Sequence, residues 1–262
     1  MNNLNVLQIE TTNLCNSKCV FCPHSKFTEF GTMTDNLYEK IIKEAFELPR
    51  LECFIPMLTG EPLCDPQFID RLKLAREKLP QVRIEVYTNG HSLTRGIIDK
   101  LKTINDLHIS VSLNGICAET RKAMMGLDDF FKVTQMLKYM QDIGLPYRST
   151  MVAYPEIKLG EIQEFVERGG MAIQYQSWCG EMFPYKRRRW TCCSRALTTM
   201  TINYKGEAVL CCFDPFGKMI FGDLNNESIG EIWTSSKHRQ LQNMHRQGRG
   251  NELPLCESCT EG

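Results

Sequence analysis

Between residues 4 and 176, six short apolar runs alternate with stretches of helical periodicity. That alternation constrains the fold more than any other feature, because strands separated by helices pair in parallel through right-handed crossovers. The apolar runs fall at 4–10, 51–58, 82–88, 107–113, 147–153 and 171–176. Helical patterns occupy about 36–48, 94–103, 118–124, 130–143 and 159–168. A further helix is opened by Asp65-Pro66, an acid cap followed by proline at the first helical position, and is stopped by Pro80. Thr34 and Asp35 are cap candidates for the first helix, whose Leu37, Ile41, Ala45 and Leu48 share one face.

Strand parity adds curvature. Val82, Ile84 and Val86 alternate with Arg83, Glu85 and Tyr87, and Leu107, Ile109, Val111 and Leu113 alternate with His108, Ser110, Ser112 and Asn114. A flat parallel sheet covered on both faces would read as continuous apolar runs. One apolar and one polar face predict an α/β fold in which a curved sheet packs helices outside and lines a wet lumen inside, an open, partial (β/α)6 TIM-like barrel. An ordinary half-exposed sheet is the alternative.

Thirteen cysteines occur in a chain whose first residues lack a basic region followed by an apolar core. The expected compartment is the reducing cytoplasm, where cysteines at motif spacing act as metal ligands or catalytic groups. The formal net charge is 0 and no apolar run reaches about 18 residues, so neither nucleic acid nor a membrane is an expected partner. Cys15, Cys19 and Cys22 form C-x3-C-x2-C. Three thiolates on a [4Fe–4S] cluster leave one iron open, whereas electron carriers use four cysteines and structural zinc sites are closed. A zinc knuckle or a chance cluster is the plain alternative.

The segment Glu10-Thr-Thr-Asn-Leu-Cys15-Asn-Ser-Lys-Cys19-Val-Phe-Cys22-Pro-His24 resembles the cluster loop of the radical S-adenosylmethionine (SAM) superfamily. The resemblance implies that the open iron chelates the amino and carboxylate groups of SAM, and that the core fold is the partial barrel. It implies further cofactor contacts. Gly60-Glu61-Pro62 matches the family's Gly-Gly-Glu type motif, with Thr59 in place of the first glycine, so Glu61 would meet the SAM amino group. Thr88-Asn89-Gly90 and Ser110-Val-Ser112-Leu-Asn114 end two strands and resemble segments near SAM, Asn114 standing where the family usually has Asp. Phe21 matches a position whose ring packs by the adenine.

Residues 179–262 differ in texture from the barrel expected over 1–178, and seven cysteines fall in this tail. Cys193-x12-Gly206-x4-Cys211 spans a hairpin expected at 200–210, with Gly206 at a turn that needs positive φ, and Cys256-x2-Cys259 closes the chain. Four thiolates complete a closed [4Fe–4S] cluster or a zinc site. Cys192 and Cys212 stand beside two of them; Cys193 and Cys211 keep the x12 and x4 spacings. A small helical region follows at 228–244. So small a piece has little apolar area to bury, which predicts a subdomain held by metal rather than by a core. The pattern is similar to the SPASM auxiliary-cluster domain in its shortened, twitch form, which implies a small α+β iron–sulfur subdomain with one auxiliary [4Fe–4S] cluster, and two such clusters in all.

The resemblance implies reductive cleavage of SAM to a 5′-deoxyadenosyl radical that takes a hydrogen atom from the substrate, with a flavodoxin- or ferredoxin-type electron donor. Gly60-Glu-Pro-Leu63, Tyr87-Thr-Asn-Gly90 and Ile229-Gly-Glu-Ile-Trp233 are similar to members that oxidise an aminocyclitol alcohol. A polar small molecule is the implied substrate, with epimerisation through a cysteine hydrogen donor, radical modification of a peptide, or a zinc-stapled binding protein as alternatives. Cys179, Tyr87 and Arg148 are the candidate catalytic residues, with Cys179 the candidate hydrogen donor. Glu10, Gln174, Gln176 and Trp178 are candidate substrate contacts by parity or position. The basic run Tyr185-Lys-Arg-Arg-Arg189 could meet an anionic substrate group.

Overall fold

The structure, a computed structural model, describes residues 3–183 and 192–260; the basic run at 185–189 lies outside them. The six expected strands are present as β1 (Val6–Ile9), β2 (Cys53–Ile55), β3 (Arg83–Thr88), β4 (Leu107–Ser112), β5 (Tyr147–Ala153) and β6 (Met171–Gln174). They lie side by side in chain order, all parallel. The intervening helices are α1 (Asp35–Phe46), α2 (Phe68–Lys78), α3 (Arg95–Lys102), α4 (Ala118–Met125), α5 (Phe130–Asp142) and α6 (Leu159–Glu167). Among the described residues no helix is long and apolar enough to cross a membrane.

Two boundaries differ from expectation for local reasons. β2 ends at Ile55 because Pro56 follows, which has no N–H for the ladder. α2 begins at Phe68 and not at Pro66. Asp65 instead belongs to the preceding turn, where its carboxylate accepts from the Gln67 N–H at 2.9 Å and from Arg71 Nη1 at 2.9 Å. Arg71 is buried, so its guanidinium dictates where that carboxylate must point.

The tail departs further from expectation. Its elements are α7 (Ser194–Thr198), β7 (Thr199–Ile202), β8 (Glu207–Val209), β9 (Ile220–Asp223), α8 (Ile229–Thr234), α9 (Ser236–Arg246) and α10 (Pro254–Glu257). The hairpin is β7–β8, and Gly206 takes φ +97° at its turn, donating its N–H to Asn203 O at 3.0 Å. β7 then pairs in parallel with β1, so the sheet runs on to nine strands. Met200, Ile202, Ile232, Trp233 and Leu241 consequently join Leu7, Ile9 and Ile41 in one apolar core. The expectation of a tail held by metal without a core is corrected: adding a strand at the β1 edge lets the small piece share the larger one's interior.

Candidate active site and a second cysteine cluster

The loops that follow the C-terminal ends of the parallel strands build the site, as open α/β sheets require. The loop after β1 carries Cys15, Cys19 and Cys22, and the loop after β2 packs directly on it. A Cβ at Gly60 would lie 2.1 Å from Thr12 O and 2.9 Å from Leu14 O, so only glycine permits the contact. The Glu61 N–H donates to Leu14 O at 2.8 Å. The Glu61 carboxylate is buried, and accepts from the Leu63 N–H at 3.1 Å, Thr88 Oγ1 at 2.6 Å and the Asn89 N–H at 2.6 Å. Burial pushes its pKa up, and those hydrogen bonds oppose the push. Three donors fill most of the acceptor sites of one carboxylate. Glu61 is thereby a tie between three loops as well as a candidate cofactor contact.

Asn89 continues the network. Its side chain donates to Asn16 Oδ1 at 2.7 Å and lies 4.0 Å from Cys15 Sγ, while its own carbonyl accepts from Arg121 Nη2 at 2.9 Å. Arg121 was not singled out from sequence, yet it is fully buried. It donates to the Ser112 and Leu113 carbonyls at 3.1 and 2.9 Å and pairs with Asp129 at 2.6 Å. Burial alone would raise the Asp129 pKa; Arg121 and His91 hold it below the usual range. One guanidinium thus joins the ends of β3 and β4. Gly115 makes room for it: a Cβ there would sit 2.6 Å from Arg121 N.

Burial pushes the Cys15 and Cys22 thiols up to about 12, and the Cys19 thiol upward as well, with Arg121 and Ser17 acting against the shift at Cys19. Metal ligands must be thiolates, so bound iron is the positive charge that would offset this cost. Ser17 Oγ lies 3.1 Å from Cys19 Sγ. The donor set fits an iron–sulfur cluster with polar contacts to its ligand sulfurs.

Beside Cys19, an aromatic patch joins Phe21, Tyr154 and Tyr175, with ring centroids 6.3 Å (Phe21–Tyr154) and 5.2 Å (Tyr154–Tyr175) apart. The Tyr175 hydroxyl is buried and, among the described residues, has no hydrogen-bond partner. An apolar platform with one orphaned hydroxyl suits a flat heteroaromatic ring such as adenine. Phe21 was expected here; Tyr154 and Tyr175 were missed, although each directly follows a strand of the structure, β5 and β6, where such sites gather.

On the inner face of the sheet the register sets Tyr87, Ser110 and Arg148 side by side. Arg148 Nε donates to Ser110 Oγ at 2.7 Å, and the Tyr87 hydroxyl donates to Glu85 Oε2 at 2.5 Å. Burial and the Glu85 carboxylate push the Tyr87 pKa up. Ser112 lies half-buried on the same face. Asn114 serves the backbone: at φ +49° its side chain accepts from the Val152 N–H at 2.8 Å.

The expected substrate contacts are mostly engaged elsewhere. Glu10 is a correction: its buried carboxylate accepts from Thr59 N–H at 3.1 Å, from Thr59 Oγ1 and from the Tyr204 N–H at 3.3 Å, tying the Thr59 loop to the β7–β8 turn. Gln176 accepts from Thr260 Oγ1 at 3.0 Å. Trp178 Nε1 donates to Phe21 O at 3.0 Å and its ring meets Phe213 edge-on at 5.6 Å. Gln174 is exposed on the edge strand β6.

In the tail, Cys193, Cys211, Cys256 and Cys259 line one cavity together with Cys192 and His245, whereas Cys212 does not line it. The cavity thus includes the expected Cys211 and not its neighbour. Cys192 is exposed and Cys193 half-buried, with the Cys193 sulfur accepting from the Arg195 and Ala196 N–H groups. Cys179 lines the same cavity and makes hydrogen-bond contact with the Cys211 and Cys259 thiols. That contact corrects its expected place as a hydrogen donor in the barrel lumen. Among the described residues no group of three His, Cys, Asp or Glu side chains is set out to hold a single metal ion.

Residues 9–169 match the model of the radical SAM superfamily, and residues 192–260 match that of an iron–sulfur cluster-binding domain, SPASM. Over 257 residues the chain is 22% identical to the S-adenosyl-L-methionine-dependent 2-deoxy-scyllo-inosamine dehydrogenase of Niallia circulans, covering 97% of this chain and 92% of that protein. It is 27% identical over 167 residues to the GTP 3′,8-cyclase of Petrotoga mobilis, covering 62% of this chain and 51% of the cyclase. The crystal structure of BtrN in complex with AdoMet and 2-DOIA superposes with a TM-score of 0.69 at 17% identity, over 98% of this chain and 93% of that one. Streptococcus suis SuiB bound to the precursor peptide SuiA gives 0.76 at 14%, over 92% and 67%. At such identities the structural likeness speaks to the fold alone.

Proposed function

The chain belongs to the radical SAM superfamily, and from that membership we propose that it oxidises a secondary alcohol of a polar small molecule: a sugar, amino sugar or cyclitol. It is a radical SAM enzyme dependent on SAM and [4Fe–4S] chemistry. When bound, these cofactors supply the acceptor for one hydrogen atom and for one electron. Cys15, Cys19 and Cys22 hold the cluster that takes SAM, and Cys193, Cys211, Cys256 and Cys259 offer a second set. Glu61, Thr88, Asn89, Ser110 and Ser112 border SAM, with Phe21 at its adenine.

The observation that carries the substrate reading is the polar row of Glu85, Tyr87, Ser110 and Arg148 on the inner face. Hydroxyl, carboxylate and guanidinium groups so arranged suit a ring bearing several hydroxyl or amino groups. Arg148 holds the reacting oxygen. Its proton leaves by way of Tyr87 Oη to Glu85, within the hydrogen bond already made. The near full-length likeness to an aminocyclitol dehydrogenase supports the same class of substrate. An external flavodoxin- or ferredoxin-type protein supplies the starting electron. Against the epimerase alternative, its candidate donor Cys179 lies among the tail cysteines.

The test is anaerobic turnover of candidate cyclitols and amino sugars in deuterated water. Product lacking two hydrogens, formed with 5′-deoxyadenosine, is expected. Product of unchanged composition carrying solvent deuterium on carbon would refute the oxidation.

A further inference from the structure

Among the described residues six thiols, not four, line the tail cavity, and that of Cys179 arrives there at a cost in backbone conformation. Trp178 and Cys179 take φ of +52° and +53°, a left-handed geometry that residues other than glycine rarely adopt. Such strain persists only where the surroundings over-determine it. Here they do. The Ser177 N–H donates to Thr260 Oγ1 at 2.9 Å, Ser177 Oγ donates to Ser258 O at 2.9 Å, and Ser258 Oγ donates to Cys179 O at 2.7 Å. All three bonds tie the turn to the segment bearing Cys256 and Cys259. The result is a buried Cys179 that lines the cavity beside Cys211 and Cys259. A cysteine acting only as a small apolar filler gives no reason for a strained turn aimed at two ligand sulfurs.

We propose that Cys179 is a ligand of the auxiliary cluster, sharing one iron position with Cys193. The proposal rests on the reading that the tail holds a [4Fe–4S] cluster. Four irons take four thiolates. Cys211 closes the hairpin, and Cys256 and Cys259 come from the chain end. Cys179 and Cys193 both reach the cavity from the segment between β6 and β7, and both neighbour Cys211. Cys192 also lines the cavity but is exposed, so buried Cys179 and half-buried Cys193 are the pair that competes for the remaining iron.

The experiment uses full-length protein with Cys15→Ala, Cys19→Ala and Cys22→Ala, so that iron retained is iron held by the tail. Iron and sulfide per chain are measured after anaerobic reconstitution, with electron paramagnetic resonance of the reduced cluster and circular dichroism as a check of folding. The background variant should hold about four irons. Adding Cys193→Ala should leave at least half of that iron with a shifted resonance. Combining Cys193→Ala with Cys179→Ala should reduce it at least tenfold. Loss of the cluster on Cys193→Ala alone would overturn the proposal, as would a double variant that keeps it. Should Cys179→Ala not fold, Cys179→Ser replaces it and must lower the iron content in the Cys193→Ala background; unchanged iron there counts against the proposal. Absence of iron from the background variant itself would instead remove the cluster reading, a distinct result.

Discussion

The two cysteine sites are assembled in opposite ways. The N-terminal one takes its three thiols from a single loop, Cys15 to Cys22, and seats that loop on the ends of a parallel sheet. A buried polar network does the seating, through Glu61, Asn89, Arg121 and Asp129. The C-terminal site draws thiols from Cys179 to Cys259 and positions them with a strained turn and hydroxyl bonds. A contiguous motif can rely on a rigid scaffold already present for other reasons. A scattered one must be brought together by its own segments, and such a site can accommodate more thiols than the cluster uses.

The widest separation between the two is tested by removing each set of thiols. Cys15→Ala/Cys19→Ala/Cys22→Ala should abolish SAM cleavage and remove about half of about eight irons, at four per cluster. Cys256→Ala/Cys259→Ala should remove the other half, yet retain more than a tenth of the uncoupled SAM cleavage, read as 5′-deoxyadenosine formed under dithionite. If the second variant also loses cleavage altogether, the sites are not independent.

Next in size is the scaffold under the first site. Arg121→Met leaves Asp129 buried beside His91 alone and orphans three carbonyls. Breaking a buried pair by removing one partner costs about 3–5 kcal/mol. Chemical denaturation should report a loss of that order, with iron at the N-terminal site falling before iron at the tail. A loss below about 1 kcal/mol would mean that the network is not what holds the loop.

The same contrast explains what could be read in the sequence. The β/α alternation, the parity of β3 and β4, and C-x3-C-x2-C are local patterns, and each was legible because neighbours in sequence remain neighbours in space. Glu10 was misread because parity placed it on the inner face, whereas the Thr59 loop and the Tyr204 turn close over it from distant segments. Cys179 was misread for the same reason: nothing near it in sequence announces Cys211 or Cys259. Arg121 was missed because a buried arginine has no periodic signature; its carbonyl partners are two strand ends that only the fold brings together. The core shared by barrel and tail depends on β7 joining β1, a pairing across more than 190 residues.

The smallest effect compares one hydroxyl at each site. Ser17 Oγ donates to Met125 O at 2.9 Å and lies 3.1 Å from Cys19 Sγ, whereas Ser258 Oγ donates to Cys179 O at 2.7 Å. Each alanine replacement removes a hydrogen bond worth about 0.5–1.5 kcal/mol net, so the two thermal midpoints should fall by similar amounts. The spectra should not behave alike. Ser17 touches a ligand sulfur, and contacts of that kind tune a cluster's potential, so Ser17→Ala should shift the resonance of the SAM-binding cluster and leave the other unchanged. Ser258 acts on backbone, where it helps to hold the left-handed Cys179. Ser258→Ala should therefore broaden the auxiliary resonance by letting the turn relax, with the SAM-binding signal intact. Identical spectra for Ser258→Ala and the parent protein would mean that the strained turn keeps its shape without that bond, and that the two sites are held with equal rigidity after all.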